Sequence, residues 1–138
     1  MNVEFEGAEK LMARFDKMSD EAALKKSLET AALLVERSAR EKAPKDTGAL
    51  RRSIRSKVEG LEGIIYTPLE YAPYIEYGTG LFAEKGNGRK DVPWNYQDDK
   101  GNWHSTSGLK PQPFMRPSLD ENRQKILEIL KEGVMDDG

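Results

Sequence analysis

The 138-residue chain has no cysteine and one histidine, His104. The missing cysteines exclude disulfides, thiolate metal sites and cysteine nucleophiles, a usage that suits a reducing compartment. With a single imidazole, a transition-metal site would need carboxylates at ligand spacing, and none has it. No serine lies in a Gly-x-Ser-x-Gly elbow. Gly78-Thr79-Gly80 and Gly86-Asn87-Gly88 do not fit the Gly-x-x-x-x-Gly-Lys-Ser/Thr loop that cradles phosphates. Asp98-Asp99 and Asp136-Asp137 lack the alternation of a calcium loop. Apolar runs stop well short of the ~20 residues that span a bilayer. The opening Met1 to Gly7 has no basic stretch leading into an apolar one, so neither a membrane segment nor a secretion signal is expected. Charge of one sign is missing too: 22 Lys and Arg against 24 Asp and Glu leave a net −2. Any nucleic-acid contact must therefore be local. No catalytic residue, cofactor or metal is expected.

What is present is periodicity. Asn2 to Glu6 alternates apolar and polar residues, which predicts a short strand ended by Gly7. Leu11, Phe15 and Met18 place one apolar stripe on a short helix from Ala8 to Met18. A longer helix, capped at Ser19 or Asp20, is predicted to run to about Lys42. Leu24, Leu28, Ala31 and Val35 form its buried stripe, and Lys25, Glu29, Glu36 and Arg40 its outer face. Beyond Pro44, residues 53–58 and 64–67 flank Gly60 and Gly63 and predict an antiparallel hairpin. Tyr71 to Tyr77 suits one helical turn, with Pro73 near its start and Gly78 past its end. Residues 84–91 are polar and glycine-rich, a loop. Residues 92–106 predict a second hairpin whose two tryptophans pack across the strands. A last helix is expected from Pro117 or Ser118 to about Glu132, burying Leu119, Ile126, Leu127, Ile129 and Leu130 and ended by Gly133. Residues 134–138 would then be a frayed tail. The fold class expected is α+β, one domain over residues 1–138: a long N-terminal helix and a C-terminal helix packed on a small antiparallel sheet.

Two clusters carry the candidate functional residues. Lys45, Arg51, Arg52, Arg55 and Lys57 face a single acid, Asp46, over thirteen residues. One account is a solvated basic face on a helix-to-strand connection; the other is a surface aimed at phosphates or an acidic subunit. The second cluster is an aromatic band: Tyr66, Tyr71, Tyr74, Tyr77, Trp94, Tyr96 and Trp103. Such residues divide between core and interface, where tyrosine and tryptophan anchor contacts. His104 is expected on the surface of the second hairpin.

The segments Ala43-Pro-Lys-Asp-Thr-Gly-Ala-Leu-Arg-Arg-Ser-Ile54, Tyr71-Ala-Pro-Tyr-Ile-Glu-Tyr-Gly-Thr79 and Pro113-Phe-Met-Arg-Pro117 occur in this order. Together they resemble the HK97 gp10-like family, small tail or neck components of long-tailed bacteriophages and prophages. The resemblance covers most of residues 20 to 132, and residues 81–108 would be its variable loop and hairpin insertion. It implies a structural protein, not an enzyme, that assembles as a homo-oligomeric ring at the head-to-tail junction or tail and contacts other phage proteins. It implies the host cytoplasm during assembly and the virion tail or neck afterwards. In such a ring Arg51, Arg52, Arg55 and Lys57 would face passing DNA or bridge to acids of the next copy, with Glu76 as a partner. Tyr71, Tyr74 and Thr79 would be further contact residues. The alternative expectation is a nucleic-acid-binding module using residues 45–57. A small-molecule enzyme is a third, with His104 as its cheapest test.

Overall fold

The structure, a computed structural model, describes residues 1–5, 21–45 and 48–136. The helix expected from Ala8 to Met18 lies outside them, as do Asp46 and Thr47. The chain groups into two compact units, residues 1–68 with 114–138, and residues 69–113. Helices and antiparallel sheets make the protein α+β.

The first unit is built on α1, Glu21–Lys42. Leu24, Leu28, Ala31, Val35 and Ala39 repeat at three- and four-residue spacing and are fully buried. That stripe is what a helix with one core-facing side requires. Glu21 in its first turn and Arg40 and Lys42 in its last complement the helix dipole. Strands β1 (Asn2–Phe5), β2 (Arg55–Glu59) and β3 (Glu62–Tyr66) form an antiparallel sheet in the order β1-β3-β2. The register sets Val3 and Ser56 against Ile65, and Phe5 and Val58 against Gly63. A side chain on Gly63 would collide with the Phe5 ring, its Cβ falling 2.3 Å from Cζ. The glycine therefore opens the slot that Phe5 fills.

Between α1 and β2 the structure corrects the expected strand start. Ala49–Ser53 is a helical turn, α2, entered through Gly48 at φ 73°. Ser53 belongs to that turn, its Oγ donating to the Leu50 carbonyl at 2.6 Å and lying 2.7 Å from Thr67 Oγ1. Ile54 is fully buried at the corner, and the strand begins only at Arg55.

The C-terminal helix is also corrected. It is two helices within this unit, α4 (Met115–Asp120) and α5 (Arg123–Asp136), numbered after α3 (Ala72–Tyr77) of the second unit. Pro117 is accommodated because it sits in the first turn of α4, where backbone N–H groups have no helical partner. The break falls at Glu121 and Asn122, where Asn122 Nδ2 bonds the Ser118 carbonyl at 2.7 Å. Ile126 and Leu130 are buried, but Leu127 is exposed. Gly133 does not end the helix. A Cβ there would stand 1.7 Å from Ser27 Oγ of α1, so this glycine lets α1 and α5 approach closely.

The second unit contains α3, a 3-10 turn at Gly80–Phe82, and the hairpin of β4 (Trp94–Gln97) and β5 (Trp103–Thr106). Pro73 lies in the first turn of α3 and Gly78 follows its end at φ 82°, as expected. Backbone approach takes the place of a side-chain core here. Gly80, at φ 60°, would place a Cβ 2.2 Å from the Ser107 carbonyl, while Leu81 N–H bonds that same oxygen at 3.0 Å. Ala72 is this unit's one buried hydrophobic side chain among the described residues. The hairpin register pairs Trp94 with Thr106 and Gln97 with Trp103. The tryptophans thus lie at opposite ends and do not pack across the strands. Tyr96 stacks on His104 instead, ring centroids 5.3 Å apart.

Candidate interaction surfaces

The basic segment separates into cations that build the fold and cations that face out. Arg51 turns back onto the end of α1: its Nε donates to the Ala43 carbonyl at 3.0 Å and its Nη2 to the Glu41 carbonyl at 3.1 Å. It satisfies carbonyls that a helix C-terminus leaves without partners. Arg40, expected on the outer face of α1, does the converse. Its guanidinium reaches the Ile54 carbonyl with two bonds, 2.8 and 3.2 Å, and so ties α1 to the corner before β2. No local pattern betrays either role, since both acceptors are backbone groups brought near by the turn.

Arg52, Arg55 and Lys57 are exposed. Arg55 donates to the backbone carbonyls of Arg52 and Ile54. Lys57 pairs with Glu59 at 2.8 Å and lies 5.2 Å from the centroid of the Tyr66 ring. The Glu59 carboxylate holds the Lys57 ammonium above its ordinary pKa, hydrogen bonding first and charge second. Both partners face solvent, so the pair is easily exchanged for another.

In the second unit Tyr71, just ahead of α3, and Tyr74 within it are exposed, Tyr74 by 59%. Thr79 is an internal fastener: its Oγ1 accepts from the Leu109 N–H at 2.9 Å, and its own N–H donates to the Leu109 carbonyl at 2.9 Å. Glu76 is fully buried. It has an interaction within the chain, and its burial takes it away from the surface where a neighbouring copy would meet it. A cleft of about 380 Å³ opens beside Tyr74, Tyr77 and Trp94. Lys85 lies 5.0 Å over the Tyr77 ring and Arg89 5.0 Å over that of Trp94. Arg89 also clamps Asp91 at 2.8 and 3.0 Å, which lowers the Asp91 pKa and raises its own.

His104 Nε2 lies 2.7 Å from Asp98 Oδ2, and Asp98 Oδ1 accepts from the N–H groups of Lys100 and Asn102. The His104 bond first, then the Asn102 amide, hold the Asp98 carboxyl below its usual range. His104 thus pins a hairpin turn.

Of the aromatic band, Tyr71, Tyr74, Tyr96 and Trp103 are exposed, and Tyr66, Tyr77 and Trp94 are half-buried. Of the nine exposed large hydrophobic side chains among the described residues, seven fall in residues 69–113. Leu81, Phe82 and Leu109 belong to this set and lie outside the tyrosine and tryptophan band expected from the sequence. Among the described residues the buried aromatics are Phe5 and Phe114.

A small α+β protein with exposed cations and a unit whose large apolar side chains face out is of the kind that works through contact with other macromolecules. The family model described as "Bacteriophage HK97-gp10, putative tail-component" matches residues 9–78, half of the chain. The protein belongs to this HK97 gp10-like family, which assigns it a phage tail-component role. The matched span includes the Asp-Thr-Gly block and the tyrosine block through Gly78; the Pro-Phe-Met-Arg-Pro block lies beyond it. No curated protein and no solved structure matches the chain. Among the described residues no helix is long and apolar enough to cross a membrane.

Proposed function

We propose that this protein is a tail or head-to-tail-junction component that acts by assembling into a ring and by touching neighbouring phage proteins, rather than by catalysis. The observation that carries this reading is the set of seven exposed hydrophobic side chains in residues 69–113. Exposed apolar side chains gathered in one unit favour a contact site there. Its content of tyrosine and tryptophan is that of an interface centre. Arg52, Arg55 and Lys57 supply a charged surface on the other unit, suited to acids of another subunit. Arg51 and Glu76 support the fold that presents these surfaces.

The experiment is a double substitution, Tyr74→Ser with Trp103→Ser, at two exposed positions. Association with itself or with tail proteins from the same phage should weaken at least about tenfold, the usual effect of losing anchor residues, with the circular dichroism spectrum unchanged. Unaltered association in both assays would contradict the reading.

A further inference from the structure

We propose that copies of this protein join edge to edge, the β2 strand of one extending its sheet onto the β1 strand of the next. This rests on the ring reading above and names the contact that would build it. Among the described residues β1 and β2 are the two edges of the three-stranded sheet. An edge strand presents unpaired backbone donors and acceptors, which another strand can complete.

The charges on the two edges differ in balance. The register places Asn2, Tyr66 and Arg55 in one row across the sheet and Glu4, Ile64 and Lys57 in the next, all on one face. The β2 edge therefore carries Arg55, Lys57 and Glu59, preceded by Arg52, a basic balance, and the β1 edge carries exposed Glu4. Two β2 edges meeting antiparallel about Lys57 would set Lys57 against Lys57, although Arg55 would then face Glu59, and two β1 edges meeting about Glu4 would set carboxylate against carboxylate. Like charges across strands oppose pairing and unlike charges favour it. With strands about 4.8 Å apart, a β2-to-β1 junction brings Lys57 or Arg55 beside Glu4 of the next copy. The neutral carbonyls that hold Arg55 and the exposed Glu59 that holds Lys57 leave both cations able to turn to that carboxylate.

Direction also fits. Both β1 and β2 run antiparallel to β3, hence parallel to each other, so every junction is the same parallel pairing. One edge type meeting another is a heterologous contact, the kind that propagates and closes into a ring when the rotation allows.

Two variants test this, Glu4→Lys and the pair Arg55→Glu with Lys57→Glu, with circular dichroism as the check of fold. Should the double reversal fail to fold, Arg55→Gln with Lys57→Gln replaces it. Each variant alone should raise the midpoint concentration of self-assembly about tenfold or more. Mixing the Glu4→Lys chain with the double reversal makes every junction complementary again, so assemblies holding equal numbers of each should form. Variants that assemble like the wild type would overturn the edge contact and leave the ring reading standing. Loss in both variants without recovery on mixing would also overturn it, as a structural effect. A wild-type chain monomeric at every concentration would overturn both.

Discussion

Arg51 shows how a residue that looks functional can be structural. It lies in a basic run, yet both its donors end on carbonyls at the C-terminus of α1. Arg51→Ala should therefore lower stability by about 1–2 kcal/mol, the ordinary worth of such bonds, and Arg51→Lys should restore only part of it because lysine lacks the fork. Denaturant midpoints measure this; an unchanged midpoint with weakened assembly would return Arg51 to the interface. Asp98 offers a pH test. Its folded pKa is depressed, so the stability it contributes is present above the ordinary carboxylate range, about pH 4, and is lost as pH falls through the lower native value. Both tryptophans lie in the β4–β5 hairpin. Tryptophan emission should thus change below about pH 4, and Asp98→Asn should abolish that transition. A transition that survives the substitution would assign it to another group.

At the scale of elements, the seam between α1 and α5 is set by the absence of a side chain. Gly133→Ala would push a methyl group into Ser27, costing about 1–3 kcal/mol as overpacking does. Ser27→Gly in the same chain should recover much of the loss, a coupling that a double-mutant cycle measures. Independent effects would show that the seam is looser than the structure makes it. This seam also marks what the sequence could not express. The stripe Leu24, Leu28, Ala31 and Val35 announced α1 through its own periodicity, and the glycines at 60 and 63 announced the first hairpin. Gly133 carried the sign of a helix stop, and only the neighbouring helix, distant in sequence, turns it into a packing site. Ser53 was misplaced for a similar reason: alternation continued one turn upstream of the strand, and Gly48 had already committed those residues to a helix. The candidate cations were legible as a group, but which of them face out depended on backbone carbonyls that no spacing reveals.

At the scale of the whole molecule, the near-balanced charge and the internal use of basic residues limit contact with DNA. Within residues 45–57, Arg51 is committed to carbonyls and Lys57 to Glu59; among the described residues Lys45, Arg52 and Arg55 pair with no acid. Three such cations in this segment predict a salt dependence of DNA affinity through it with a log–log slope of about −3 or shallower for one copy, at ~0.9 per phosphate neutralised. A markedly steeper slope would favour the nucleic-acid-binding alternative. The exposed hydrophobic residues of 69–113 point the other way, toward protein partners. The central claim is self-assembly, and the measurement that tests it most directly is the mass of the purified protein by light scattering behind a sizing column, over a wide concentration range. The account predicts a discrete species of several copies that gains population with concentration. A monomer at every concentration would contradict it.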